Sequence, residues 1–249
     1  MLTEQTLSKL RDLRLSGMAA GFEEQLGNAA AQSLSFEERF GLLVDHEATY
    51  RENHRLQRLL KAAKLKTQAC VEDIDYHHPR GLDRSVMASL TTCDWVARGL
   101  NVILTGPTGS GKTWLACALG QKACRLGKTV LFQRAPLLLE ELRLTHADGS
   151  FRKRLAQLAK IDLFILDDFG SGAINAGHRA DLLEIVEARV EGRATIVTSQ
   201  LPVDKWHDYL GTGNPTTADA IMDRIVSRAV RVPLSGESMR KHMTAAEGF

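Results

Sequence analysis

Residues 100–113 read Leu-Asn-Val-Ile-Leu-Thr-Gly-Pro-Thr-Gly-Ser-Gly-Lys-Thr, an apolar run that ends at Thr105 and opens into Gly106, Pro107, Thr108, Gly109, Ser110, Gly111, Lys112 and Thr113. The second half matches GxxxxGK[ST] in full, the P-loop pattern. Anionic phosphates need several converging backbone N–H donors, and only positions without side chains let a chain wrap closely around them. Gly106, Gly109 and Gly111 supply those positions. A helix is predicted to follow over residues 113–126, its positive N-terminal end facing a β-phosphate. Lys112 is placed to reach the β- and γ-phosphates, and the Thr113 hydroxyl to bind Mg²⁺, so ATP is the expected ligand.

The 249 residues are 44% apolar and 25% charged, an ordinary balance for a chain that buries a core. Formal net charge is +2, so any basic surface must be local. Whole-chain charge neither demands nor excludes a nucleic-acid partner. No window approaches the ~18 apolar residues of a membrane span, and the N-terminus mixes charges instead of preceding an apolar block with basic ones. A cytoplasmic protein with no membrane partner is expected. Cys70, Cys93, Cys117 and Cys124 form no CxxC pair, and the last two lie seven apart on the predicted helix, facing the same way. Core thiols are expected, not zinc ligands or disulfides.

Residues 1–68 read as a helical N-terminal region without proline, with apolar residues at helical spacing such as Leu7, Leu10, Leu13 and Phe36, Phe40, Leu43. Gly17, Gly21 and residues 27–34 punctuate it, and Ser35 followed by Glu38 predicts a helix start at Phe36. The far end carries Arg51, Arg55, Arg58, Lys61, Lys64 and Lys66 against one acid, Glu52, with Leu56, Leu59, Leu60 and Leu65 as an apolar side. Two readings stand: a solvated amphipathic face, or a stripe that contacts phosphates. Residues 69–81, with Glu72, Asp73, Asp75, His77 and His78, read as a linker, and residues 82–249 as a second domain.

In that domain a helix is predicted over 82–96, then the strand into the glycine loop, its helix, and a strand over 128–133. A helix starting beside Pro136 runs towards residue 160, interrupted at 147–150, where Arg143, His146, Arg152, Lys153 and Arg154 gather. Residues 161–170, IDLFILDDFG, place four consecutive apolar residues before Asp167 and Asp168, as a buried parallel strand with polar chemistry at its C-terminal end reads. This is a Walker-B pattern. Helices over 178–191, 204–210 and 218–228 alternate with strands over 194–200 and 230–233. Five strands separated by helices predict a parallel, three-layer α/β domain.

Hydrolysing ATP needs a cradle, a metal, an oriented water and positive charge at the transition state. Asp167 is the expected second Mg²⁺ ligand beside Thr113. Asp168, one position on, points its carboxylate differently and is placed either to polarise the attacking water or merely to be polar at the loop entry.

Together GPTGSGKT at 106–113, LFILDDFG at 163–170, TSQLPVDKWH at 198–207, DRI at 223–225 and GESMRK at 236–241 resemble the AAA+ ATPases. More closely they resemble the IstB-like transposition helper ATPases, which are similar to the DnaC helicase loaders. The resemblance covers nearly the whole chain. It implies a sheet ordered 5-1-4-3-2, with the fourth strand between the P-loop and Walker-B strands and its end facing the γ-phosphate. It places Gln200 as sensor 1, where the wider class has Asn, with Thr198 or Ser199 assisting. Arg224 falls at the arginine finger that acts on a neighbour's ATP, Arg228 standing in reserve and a surface salt bridge being the alternative. Arg240 falls at sensor 2. About sixteen residues follow the last strand, too few for the usual helical lid, so a homo-oligomer with ATP at its interfaces is expected.

The resemblance also implies a DNA-binding surface in the insertion before Walker B, here Arg143, Arg152, Lys153 and Arg154. It favours the phosphate reading of Arg51, Arg55, Arg58 and Lys61, or else docking of a transposase there. Cations without interleaved aromatic rings fit a sequence-tolerant backbone contact. The expected protein is an ATP-dependent regulator that assembles on double-stranded DNA, engages a cognate transposase and disassembles on hydrolysis. A helicase loader and a DNA-coating protein with static ATP are the rival readings.

Overall fold

The structure, a computed structural model, describes residues 2–239 apart from 191, 212, 213 and the side chain of Gln32. The chain divides into two compact units, Met1–Arg58 and Leu59–Phe249.

The first unit holds α1 (Leu2–Asp12), α2 (Ser16–Gly27) and most of α3 (Phe36–Ala63). The Ser35 hydroxyl accepts from the Glu38 amide at 3.3 Å and the Glu38 carboxylate accepts from the Ser35 amide at 2.8 Å, a reciprocal cap that starts α3 where the sequence predicts. Gly17 and Gly21 do not break the chain. They lie inside α2, and a Cβ at Gly17 would come within 2.7 Å of the Glu47 Cα on α3. Glycine lets the two helices meet at backbone distance, and Glu47 then accepts from the Met18 amide at 3.0 Å in the first turn of α2.

In the second unit the chain leaves α3 through Lys64, at φ 51°, and crosses residues 69–81 with a single 3-10 turn at Val71–Asp73. The helix predicted over 82–96 is two, α4 (Arg84–Thr91) and α5 (Asp94–Ala97). Between them Cys93 turns left-handed at φ 59°, and the Thr92 hydroxyl accepts from the Asp94 amide at 3.3 Å to begin the second helix. There follow β1 (Asn101–Thr105), α6 (Lys112–Arg125), β2 (Val130–Arg134), α7 (Ala135–Ala147), α8 (Phe151–Lys160) and β3 (Leu163–Phe169). The unit continues with α9 (Ala176–Arg189), β4 (Ala194–Ser199), α10 (Trp206–Gly211), α11 (Pro215–Val226) and β5 (Ala229–Pro233).

Among the described residues the five strands form one parallel sheet ordered β2-β3-β4-β1-β5, the order the family resemblance implies. Side chains alternate across it. Phe164 and Leu166 of β3, Ile103 of β1 and Val197 of β4 join Leu138, Leu142, Leu158, Leu182, Ile221 and Trp206 in one buried core under α7 to α11. Ile165, between Phe164 and Leu166, points the other way: a Cβ at Gly120 of α6 would lie 2.8 Å from its Cδ1. Helices therefore cover both faces, as a parallel sheet requires. Cys93, Cys117 and Cys124 are buried in this packing, and burial pushes the thiols of Cys93 and Cys124 up to about 11, whereas Cys70, also expected in the core, is only half-buried.

Because every strand runs the same way, the C-terminal ends of β1 to β4 gather on one edge with the loops that follow them. The glycine loop, Arg134, Asp167, Asp168 and Gln200 all lie there.

Candidate functional site

The glycine loop leaves β1 with the Gly106 amide donating to the Ser199 carbonyl at 3.2 Å, which ties it to the end of β4. Gly109 and Gly111 sit at φ 84° and 90°, where a side chain is strained, and a Cβ at Gly109 would collide with Ser238. α6 begins at Lys112, so its first amides point into the loop. The Lys112 ammonium donates to the carbonyls of Gly106 at 2.7 Å and Pro107 at 2.8 Å. Burial lowers its pKa below the usual lysine range, while Asp168 and Asp167 act in the opposite direction. Ser110 is fully buried, with its hydroxyl unpaired.

Thr113 and Asp167 meet across this loop. The Thr113 hydroxyl donates to Asp167 Oδ1 at 2.7 Å, and the Thr198 hydroxyl donates to the same oxygen at 2.7 Å from the fully buried position at β4. The other oxygen, Oδ2, is buried without a hydrogen bond. An orphaned carboxylate oxygen inside a protein is costly unless a cation completes it. One hard carboxylate and one hydroxyl fit Mg²⁺, which takes few protein ligands and fills its octahedron with phosphate oxygens and water. No cluster of three His, Cys, Asp or Glu exists among the described residues to hold a metal by protein ligands alone.

Asp168 diverges from Asp167 because the β3–β4 register shifts between Leu166 and Phe169, and Asp168 itself adopts φ 59°. A bulge with a left-handed residue re-aims the side chain. Its Oδ2 accepts from Arg134 Nε at 3.1 Å and Nη2 at 2.9 Å, while its amide donates to Thr198 Oγ1 at 3.1 Å. Sequence reasoning missed Arg134. Only strand register, which sets Arg134 beside Asp167, reveals that the end of β2 supplies a cation to Walker B. Gln200 does reach the glycine loop, where its Oε1 accepts from the Thr108 hydroxyl at 2.7 Å.

Arg224 is not brought to these groups. It donates to the Ala220 carbonyl at 2.9 Å and pairs with Glu187 of α9 at 2.9 Å, which is the salt bridge weighed as its alternative. Arg228 is exposed, and Arg240 lies outside the described residues. Arg51 pairs with Glu47, Arg143 with Glu140, and Arg154 with Glu141 at 2.7 Å while also donating to Gln133 at 2.8 Å. Arg55, Arg58, Lys61, Arg152 and Lys153 are exposed. A second missed cation, Arg80, is 1% exposed in the linker and donates to the Ser110 carbonyl at 3.3 Å and the Asp75 carbonyl at 3.0 Å. Its surroundings of irregular, polar residues gave no sequence signal for burial.

A family model described as IstB-like ATP binding protein matches residues 8–246. The chain is 47% identical over 242 residues to a Sinorhizobium fredii protein named as an insertion-sequence ATP-binding protein, covering 97% of this chain and 98% of that one. It is 51% identical over 218 residues to the protein of Pseudomonas fluorescens named for ATP binding in insertion sequence IS1162, covering 87% and 92%. Among solved structures, DnaI aligns at a TM-score of 0.57 and 21% identity, over 73% of this chain and 92% of that one.

Proposed function

The chain belongs to the IstB-like ATP-binding proteins, and on that premise we propose that it is a Mg²⁺-dependent ATPase that assembles on double-stranded DNA and recruits or activates a transposase. The observation that carries this reading is the Thr113–Asp167 contact beside the glycine loop, with the other Asp167 oxygen buried and without a hydrogen-bond partner. ATP binding is the family's property; hydrolysis, DNA and transposase are the proposal. The relatives at 47% and 51% identity are named for insertion sequences, which favours transposition over helicase loading.

In this reading Mg²⁺ held by Thr113 and Asp167 supplies charge neutralisation on the phosphate oxygens. The amides of the glycine loop and the start of α6 bind phosphate, and Lys112 adds a buried positive charge. Asp168 orients and deprotonates the attacking water after its carboxylate leaves Arg134, so the Arg134 pair sets the resting state of the site. Gln200 positions the same region through Thr108. Arg224 leaves Glu187 and completes the site of a neighbouring subunit, which couples turnover to homo-oligomerisation. Arg240 is the sensor-2 candidate of this proposal. Exposed Arg55, Arg58, Lys61, Arg152 and Lys153 carry most of the DNA contact, with Arg51, Arg143 and Arg154 contributing where their ion pairs open. No described helix is long and apolar enough to cross a membrane, and cytoplasmic action on DNA follows from the proposed partners.

The test is electron microscopy of the protein with duplex DNA and either ATP or ADP, alongside Lys112→Ala. Rings or filaments that require ATP and vanish in the variant are expected. Assemblies indifferent to nucleotide would sink the reading.

A further inference from the structure

The chain just after α3 lies along one side of α6. Leu65 lies against Gly120, where a Cβ would come within 3.1 Å of its Cδ2. Burial raises the pKa of the Cys117 thiol, and the neighbouring backbone of Lys66 and Thr67 acts in the opposite direction, which sets these residues beside Cys117. Thr113, Cys117 and Gly120 are spaced by four and three residues, so they share one face of α6. The segment therefore runs down the same face that presents Thr113 to the metal position. At its end the Lys66 ammonium stands 3.9 Å from Asp167 Oδ2, the buried oxygen that has no hydrogen-bond partner.

We propose that Lys66 is a γ-phosphate ligand of the site, a residue that lets the protein distinguish ATP from ADP; the proposal rests on the ATP-binding reading above. In the ligand-free chain its cation offsets the open oxygen of Asp167. Were Thr113 and Asp167 to hold a metal, that oxygen would be satisfied without Lys66, whose side chain is 48% exposed and free to turn. ATP would bring one more phosphate charge than ADP to the site, and the compact ammonium of Lys66 on its flexible stem would meet it there. Lys112 reaches both β- and γ-phosphates and by itself discriminates little between di- and triphosphate. Lys66 approaches from the Asp167 side, and the proposal gives it the terminal phosphate. It also comes from the stretch just C-terminal to the basic helix, so the nucleotide state is felt by the segment that follows α3.

Titration of fluorescent methylanthraniloyl-ATP and methylanthraniloyl-ADP into the full chain with Mg²⁺ tests this, using wild type, Lys66→Met and Lys66→Arg. Lys66→Met is expected to weaken ATP about tenfold or more, the scale of one hydrogen bond to a charged group, and to leave ADP within about twofold. Lys66→Arg should recover most of the difference and keep the ligand-free melting temperature near wild type, whereas Lys66→Met, which removes the cation beside Asp167 Oδ2, should lower it. Equal losses for ATP and ADP would reduce Lys66 to a structural tether and overturn the proposal, as would unchanged affinity for both. Wild type binding neither nucleotide would instead break the underlying ATP reading.

Discussion

At the C-terminal edge of the sheet, Lys112, Asp167 and Thr198 are buried and bonded within the site, the lysine to loop carbonyls and the carboxylate to two hydroxyls. On the basic surfaces, Arg58, Lys61, Arg152 and Lys153 are exposed, while Arg143 and Arg154 of the same stretch are taken up by Glu140 and Glu141. The first arrangement is preorganised for a ligand of fixed shape, because buried polar groups cannot rearrange cheaply. The second suits a repetitive, sequence-tolerant anion whose contacts form only on binding. One chain therefore displays its nucleotide site nearly complete, whereas the proposed DNA contact would be defined by what it meets.

Arg224 separates the two regimes most sharply, since it is ion-paired in the single chain yet proposed to act on another subunit's ATP. Arg224→Ala is expected to lower the turnover of assembled protein by about 10³-fold while ATP binding, followed by the same fluorescent titration, is unchanged. Mixing it with Lys112→Ala should restore part of the turnover; no recovery would argue against a site shared between subunits. Asp168→Asn should cost about 10²-fold or more in phosphate release, the scale of general-base catalysis, and hold the ATP-bound assembly. Turnover equal to wild type would remove Asp168 from its role and leave Arg134 as a structural partner only.

Effects on the basic surface should be smaller and depend on salt. Arg152→Ala with Lys153→Ala is expected to weaken DNA binding across unrelated sequences and reduce the salt slope by about 1 per lost phosphate contact. Arg154→Ala should instead lower the melting temperature, because that guanidinium bridges Gln133 and Glu141 inside the domain. Reversal of these two outcomes would show that the ion pairs open on DNA. The smallest effect concerns the thiols. At pH 8, Cys70 should react first with a thiol reagent, and Cys93 and Cys124, with pKa values of about 11, should stay unlabelled until the pH approaches that range or the protein unfolds. Early labelling of Cys124 would show that the α6 face opens readily.

Much of this was legible in residue order. The Ser35 and Glu38 pair marked the start of α3, and the run before Asp167 marked a buried strand, because capping and burial are local requirements. Gly17 was legible as a glycine but not as a contact, since Glu47 lies elsewhere in the sequence. The break at Cys93 was hidden for a different reason. Residues 82–96 keep apolar residues at helical spacing through a turn that only the backbone conformation discloses.

By itself the sequence determined the nucleotide cradle and the parallel α/β fold. Phosphates are held by contiguous backbone amides, so Gly106, Gly109, Gly111, Lys112 and Thr113 must be adjacent in the chain, and strand–helix alternation leaves its own period. The tertiary structure alone decided what surrounds the cradle. Arg134 reaches Asp168, Thr198 and Lys66 reach Asp167, and Glu187 restrains Arg224, each from a separate element. Parallel strands bring such residues to one edge through crossover helices, and only strand order and register specify which side chains then meet.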